Sequence, residues 1–325
     1  MNRICQGVFA GGGVRGIGHV GAALAAEKAG YTFDSLAGSS AGAIVAALLA
    51  AGYTAGELHT EMLATDYLKF KQEDRLDRLS GIGKFLSVLI NFGIYNADYF
   101  EQWIAALLQK KNVETFGDLP AADTNVPCRL QVTATDLLEK QILVLPRDLK
   151  LFGIDPMSYP IAKAVRMSMS IPIFYEPYPL RDSQGRAHYM VDGGLVSNYP
   201  IWILDDGRSR NPYPVFGFRF FSPKACKRPE CQANANLVTY CKALVSTMLD
   251  GYDNRFARED SGDDRRSIWI PTEVRIGGEP KEISSTDFEI TEEESDALFQ
   301  NGCHAGQRFF STWNFQTWKQ VYRSG

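Results

Sequence analysis

Four glycines in six positions, Gly11, Gly12, Gly13 and Gly16, stand between the apolar run Ile4–Phe9 and the helix-like run Ile17–Lys28. Glycine this dense lets the backbone turn sharply and leaves its N–H groups open to close approach, because no Cβ intervenes. The flanks read as a buried strand and a helix, so the chain opens with a strand–turn–helix unit. A second unit follows at once: Thr32–Ala37 is strand-like, and Ala41–Ala51 is helix-like and ends at Gly52. Two such units in succession predict an α/β fold on parallel neighbouring strands.

What the first turn holds depends on its surroundings. Gly11-x-Gly13-x-x-Gly16 fits a dinucleotide fingerprint, which needs an acidic residue at the end of the next strand to hold a ribose. Asp34 opens that strand, and the strand ends in "AGSSAG". A phosphate loop is excluded, since no Gly-Lys-Ser/Thr follows. The remaining use is an oxyanion site, in which inward-turned N–H groups and the positive end of the following helix face one point. Arg15 would strengthen that field or brace the loop through a carboxylate. An oxyanion site requires a nucleophile, and Gly38-x-Ser40-x-Gly42 lies between strand and helix, the context of a nucleophile elbow. Ser40 takes the central place and Ser39 reads as a turn residue.

A serine needs a base. Among the four histidines, His19, His59, His188 and His304, only His304 follows both Ser40 and Asp192, the order a Ser-Asp-His triad requires. It lies in the helix-like "FQNGCHAGQRFF". The stronger candidate is Asp192 in "YMVDGGLVSNYP", where a strand delivers the carboxylate to the sheet edge from which the serine elbow also emerges. An Asp-Gly turn bonded to its own backbone is the plain alternative. Asp136 is a weaker candidate because no glycine turn follows it.

With 45% apolar residues and a net charge of −4, the chain is ordinary globular material and lacks the basic excess of nucleic-acid binders. No apolar run approaches the roughly 18 residues of a membrane span, and the first strand runs directly into the glycine turn without a cleavage site. A cytosolic protein is expected. Six scattered cysteines imply reduced thiols, and the Cys226–Cys231 pair lacks the ligands of a metal site. Arg129–Ala134 with Gln141–Leu145 predicts adjacent strands, Ile161–Ser170 a helix and Val215–Phe220 a further core strand. Asn236–Arg258 and Thr291–Phe310 predict longer helices. Leu204–Pro214 is the best seam, and Arg258–Arg266 reads as a solvated loop.

Gly11-Gly12-Gly13-Val14-Arg15-Gly16, Gly38-Ser39-Ser40-Ala41-Gly42 and Asp192-Gly193-Gly194 resemble, in order, the three motifs of the patatin-like phospholipases. "VTATDLLEK" (Val132–Lys140) and "AVRMSMSIPIFYEPY" (Ala164–Tyr178) resemble further blocks of that family. The resemblance implies a three-layer α/β/α fold with a central, mostly parallel sheet. It places a catalytic region at residues 5–205, with residues 206–325 a C-terminal extension packed on it. It also implies a lipid acyl hydrolase in which Ser40 attacks an ester and Asp192 takes its proton directly. N–H groups at Gly12 and Gly13 would hold the oxyanion, and Arg15 would support the loop. The expected substrate is a lipid ester at a membrane or micelle surface, with no cofactor, metal or nucleic acid. Some members depend on a host factor or signal molecule, and Leu204–Gly325 could carry such control. The apolar stretch Ile82–Leu108 is either a buried helix pair or a lid and acyl-chain wall.

Overall fold

The computed structural model describes residues 3–70, 92–121, 128–205, 211–222 and 262–323. In chain order the main elements are β1 (Arg3–Phe9), α1 (Gly16–Lys28), β2 (Tyr31–Gly38), α2 (Ala41–Ala50), α3 (Ala55–Leu63), β3 (Gly93–Tyr95) and α4 (Asp98–Lys110). Next come β4 (Leu130–Asp136), β5 (Gln141–Leu145), α5 (Ile161–Ser168), β6 (Ile173–Tyr175), β7 (Tyr178–Arg181), β8 (Ala187–Asp192) and α6 (Gly194–Ser197). The chain closes with β9 (Val215–Phe221), β10 (Ser267–Pro271), β11 (Glu273–Ile276), β12 (Glu279–Glu282), α7 (Glu292–Thr312) and α8 (Phe315–Tyr322). The result is a mixed sheet with mostly parallel central strands, flanked by helices.

Strands β10, β9, β1, β2 and β4 run parallel in that order. Around β4 the sheet changes character. Val132 pairs with Gly38 and with Leu145, while Ala134 pairs with Asp192 and with Leu143. A strand has two edges, so β5 occupies one edge of β4 and the other is shared end to end by β2 and β8. The aspartate strand is antiparallel to β4, and its last residue therefore meets the end of the serine strand head-on. Asp192 reaches the sheet edge expected from the sequence, and it arrives there from the direction opposite to the serine strand.

Every residue of β4 is buried, as expected for a strand covered on both faces. On one face Phe9 stacks on Phe218 with centroids 4.4 Å apart, within a core shared by β1, β2, β9, α1, α2 and α7. On the other face Val8, Ala37 and Val215 pack on Ile201 and Leu204. The predicted strand pair at β4 and β5 is present, and α7 starts where the sequence places it. Its Thr291 Oγ1 accepts from Glu294 N at 3.2 Å, and a Glu294 carboxylate oxygen accepts from Thr291 N at 3.1 Å, a reciprocal cap.

One expectation is corrected. The described end of the Arg258–Arg266 stretch is not a solvated loop: Arg266 is only 2% exposed and pairs with Asp205 and Asp263, each at 2.5 Å. A buried guanidinium needs such partners. The predicted helix Asn236–Arg258, residues 82–91 of the apolar stretch, and Cys226, Cys231 and Cys241 lie outside the described residues. Helix α4, the described helical part of that apolar stretch, buries Phe100, Ile104, Leu107 and Leu108 as a core helix does. Cys5, Cys128 and Cys303 are free and buried. No described helix is long and apolar enough to cross a membrane.

Helices α1 and α7 touch backbone to backbone: a Cβ on Gly302 would fall on the Gly18 carbonyl oxygen. Gly302→Val should therefore lower Tm by roughly 5 °C or more in thermal denaturation, through overpacking against atoms that cannot move aside. Gly56→Ala, whose Cβ would meet nothing nearer than Thr54 Oγ1 at 4.0 Å, should leave Tm unchanged or slightly higher.

Candidate active site

The glycine turn leaves β1 and is tied down at most of its N–H groups. Gly11 N donates to Asn198 O at 3.0 Å, Val14 N to Ser285 O at 3.0 Å, and Arg15 N to Gly12 O at 3.2 Å. Gly16 N donates to Gly13 O. Within Gly11–Gly16, the N–H groups of Gly12 and Gly13 have no acceptor among the described residues. The loop expected from the sequence thus narrows to two free donors. Arg15 does brace the loop through a carbonyl: its Nε donates to Gly12 O at 3.0 Å. That carbonyl and the Gly13 N–H belong to one planar peptide and point in opposite directions, so fixing one aims the other. Gly13 has φ +57°, and a Cβ there would collide with Ser285 O, so only glycine fits.

His19 serves the same loop from α1. Its Nε2 is 2.8 Å from Ala10 O, and burial pushes its pKa down to about 3, which leaves a neutral ring donating to that carbonyl.

Ser40 sits between β2 and α2 with φ +52° and ψ −129°, a backbone conformation rare outside glycine. The turn closes this tightly because a Cβ on Gly38 would strike Gly42 O, and one on Gly42 would strike Phe9 O. Ser40 N donates to Ser168 Oγ at 2.9 Å, and Ser40 Oγ lies 3.6 Å from Met169 Sδ. Ser39 is occupied elsewhere, with its hydroxyl 2.5 Å from Thr133 Oγ1 and 3.0 Å from Ser197 O. The glycine loop is adjacent: a Cβ built on Gly11 would lie 3.2 Å from Ser40 Cβ.

Asp192 is fully buried at the end of β8. Its N–H donates to Ser170 O at 2.9 Å, and its Oδ1 accepts from Gly194 N at 2.7 Å across the Gly193 turn. The Asp-Gly turn is therefore present, but it uses one carboxylate oxygen only. Oδ2 is buried without a hydrogen-bond partner. Desolvation raises the Asp192 pKa to about 7, and the Ser40 hydroxyl and the Gly194 N–H partly offset that rise. The serine is thus near enough to act on the carboxylate, yet its hydroxyl is turned to the Met169 sulfur and makes no hydrogen bond to Oδ2.

The other candidates are engaged or distant. Asp136 Oδ1 accepts from Leu138 N at 2.8 Å, and its Oδ2 lies 2.8 Å from His188 Nδ1. His59 pairs with Asp296 at 3.4 Å. His304 is exposed on α7. No histidine hydrogen-bonds to Ser40 or Asp192 among the described residues. The sequence carries no sign that Ser168, Met169, Asn198 and Ser285 hold Ser40 and the glycine loop. Ser168 and Met169 lie in the "AVRMSMS" block, but nothing in its spacing says that it faces Ser40.

The residues capable of this chemistry coincide with the region a known family shares. The patatin-like phospholipase model matches residues 7–205. YqhO of Bacillus subtilis (strain 168), an uncharacterized protein, is 36% identical over 310 residues, which span 95% of this chain and 99% of YqhO. An uncharacterized protein, R571 of Acanthamoeba polyphaga mimivirus, is 28% identical over 179 residues, 53% of this chain and 50% of R571. VipD from Legionella pneumophila shares the fold at a TM-score of 0.52 and 18% identity, over 95% of this chain and 67% of that one. With its three motifs gathered at one end of β1, β2 and β8, this chain belongs to the patatin-like phospholipase family.

Proposed function

We propose that the protein is a serine acyl hydrolase of lipid esters, with Ser40 as nucleophile, Asp192 as general base and the Gly12 and Gly13 N–H groups as oxyanion donors. Family membership supports a lipid hydrolase. The observation that carries the finer reading is the meeting of three features: a serine with positive φ, two N–H donors without acceptors among the described residues and a buried carboxylate with one free oxygen.

Rotation of the Ser40 side chain away from Met169 turns its O–H toward Asp192 Oδ2. As Oγ attacks the ester carbonyl carbon, the hydroxyl proton passes to Asp192, and the carbonyl oxygen becomes an oxyanion facing Gly12 and Gly13. Collapse expels the alcohol, which takes the proton from Asp192 and leaves an acyl ester on Ser40. Water then attacks that ester, giving its proton to Asp192, and the carboxylic acid departs as Ser40 recovers a proton. An aspartate of ordinary pKa near 4 is a weak base for an alcohol; raising it toward 7 strengthens it by about 4 kcal/mol. The N-terminus of α2 and the two donors stabilise the charge that forms in the transition state.

A Ser-Asp-His triad using His304 is disfavoured by the exposed position of that residue on α7. A nucleotide phosphate at Gly11–Gly16 is disfavoured because four of the six N–H groups in the loop are already bonded within the protein.

Ser40→Ala should abolish turnover of a p-nitrophenyl ester. Ser40→Gly should be equally inactive yet more stable than Ser40→Ala, since glycine relieves backbone strain on the order of 1 kcal/mol. Comparable melting temperatures for the two variants would place the strain elsewhere.

The base must be ionised, so kcat/KM should rise with pH to a plateau, with a midpoint near 7 set by Asp192. Asp192→Asn should remove activity. It should also be more stable than wild type at pH 8, where the native protein carries a buried carboxylate. The folded pKa lies above the unfolded value of about 3.9, so wild-type stability falls as pH rises between the two. The advantage of the variant should accordingly shrink between pH 8 and pH 5 in thermal melts.

Because a raised aspartate titrates where histidine does, the pH profile cannot separate the two bases. The histidine variants can. His304→Ala and His188→Ala should each keep activity within about tenfold of wild type, whereas loss of a histidine base costs several orders of magnitude.

A further inference from the structure

Beyond the level of Asp192, strands β7, β8, β4 and β5 continue as an antiparallel unit past the end of β2. Pro179 pairs with Tyr189, and Leu137 N donates to Tyr189 O at 3.1 Å from the next strand. Cross-strand neighbours share a face, so Tyr189 and Leu137 stand side by side. They project outward, because the alternate residues His188 and Met190 are buried. Phe92 sets its ring against Tyr189 at 6.0 Å between centroids, and Leu138 follows in the turn. The four side chains are between 44% and 57% exposed. Turn tips are ordinarily polar, and a contiguous exposed apolar cluster marks an interaction surface.

Charge identifies the partner. Glu139 and Asp182, the acidic residues of the two turns, are both engaged by Arg186. Lys140 and Arg181 are exposed and have no carboxylate partner among the described residues. The uncompensated charge around the apolar row is therefore positive, on a chain whose net charge is −4. Aromatic and leucine side chains with cations beside them suit the boundary between anionic headgroups and acyl chains.

We propose that this outer tip, with Phe92, Leu137, Leu138 and Tyr189 inserted and Lys140 and Arg181 on headgroup phosphates, docks the protein on an anionic phospholipid bilayer. The choice of a lipid partner rests on the acyl-hydrolase reading. Tyr189 lies three residues from Asp192, about 10 Å along the strand at the usual rise of roughly 3.3 Å per residue. Interfacial elements bury about 5–10 Å into the headgroup region, so a tip seated to that depth brings the catalytic level to the lipid surface.

The test uses the full chain carrying Ser40→Ala, so that lipid is not consumed, and sucrose-loaded vesicles of phosphatidylcholine with or without phosphatidylserine. The parent should sediment with the phosphatidylserine vesicles. Leu137→Asp with Leu138→Asp, and separately Lys140→Glu with Arg181→Glu, should each weaken that partition by about tenfold or more at unchanged Tm. Tyr189→Ser supplies a third variant should the aspartates unfold the hairpin. Undiminished sedimentation of the folded variants, or no sedimentation of the parent, overturns the proposal. So does a fall in molar mass of the variants by light scattering, which would make the tip a contact between two copies. Turnover of a water-soluble ester by the same tip variants with Ser40 intact reports on the acyl-hydrolase reading separately, since it needs no bilayer.

Discussion

One edge of β4 is occupied by two strands that point at each other. Gly38 ends its pairing opposite Val132, and Asp192 ends its pairing opposite Ala134. A single strand thereby sets the separation of the serine turn and the aspartate turn, and neither can shift without breaking its ladder to β4. Ordinary α/β sheets bring site residues together from parallel neighbours at one edge. Here the pair comes together along one line, from opposite directions. Both turns bend out of the sheet at that junction because neither strand can run on into the other.

The junction is then locked from the sides. The turn after Asp192 offers Ser197 O to the Ser39 hydroxyl and Asn198 O to the Gly11 N–H, so one short segment holds both other motifs. Ser168 Oγ holds the backbone of Ser40, and Ser170 O holds that of Asp192, from a second segment. Such support is needed because the site contains features that destabilise a fold when left alone. A non-glycine residue with positive φ, a fully buried carboxylate and two N–H groups without acceptors each cost free energy. They persist because the neighbouring bonds and the packed faces of the sheet over-determine them.

The C-terminal part of the chain takes a direct share in this. Val14 N bonds to Ser285 O, and Gly13 lies against that same carbonyl, far beyond the residues matched by the family model. Strands β9 and β10 extend the sheet from β1, α7 lies on α1, and Phe220 packs on both His19 and Arg15. The glycine loop is therefore held between the aspartate turn on one side and C-terminal residues on the other.

The motifs were legible in the sequence because each depends on local stereochemistry. Close backbone approach at Gly11–Gly16, the tight turn around Ser40 and the Asp192-Gly193-Gly194 turn all require small residues at fixed spacing, and a single sequence records that. The parallel start of the sheet followed from the same periodicity. Which donors are free could not be read, because the acceptors at Asn198 and Ser285 are distant in sequence. The roles of Ser168 and Met169 were hidden for the same reason. The pKa of Asp192 depends on burial, which packing creates and composition does not encode. The end-on meeting of β2 and β8 was also beyond the sequence, since a strand carries no mark of which edge it will share or from which direction. Local chemistry named the candidate groups, and long-range pairing along β4 decided how their strands meet.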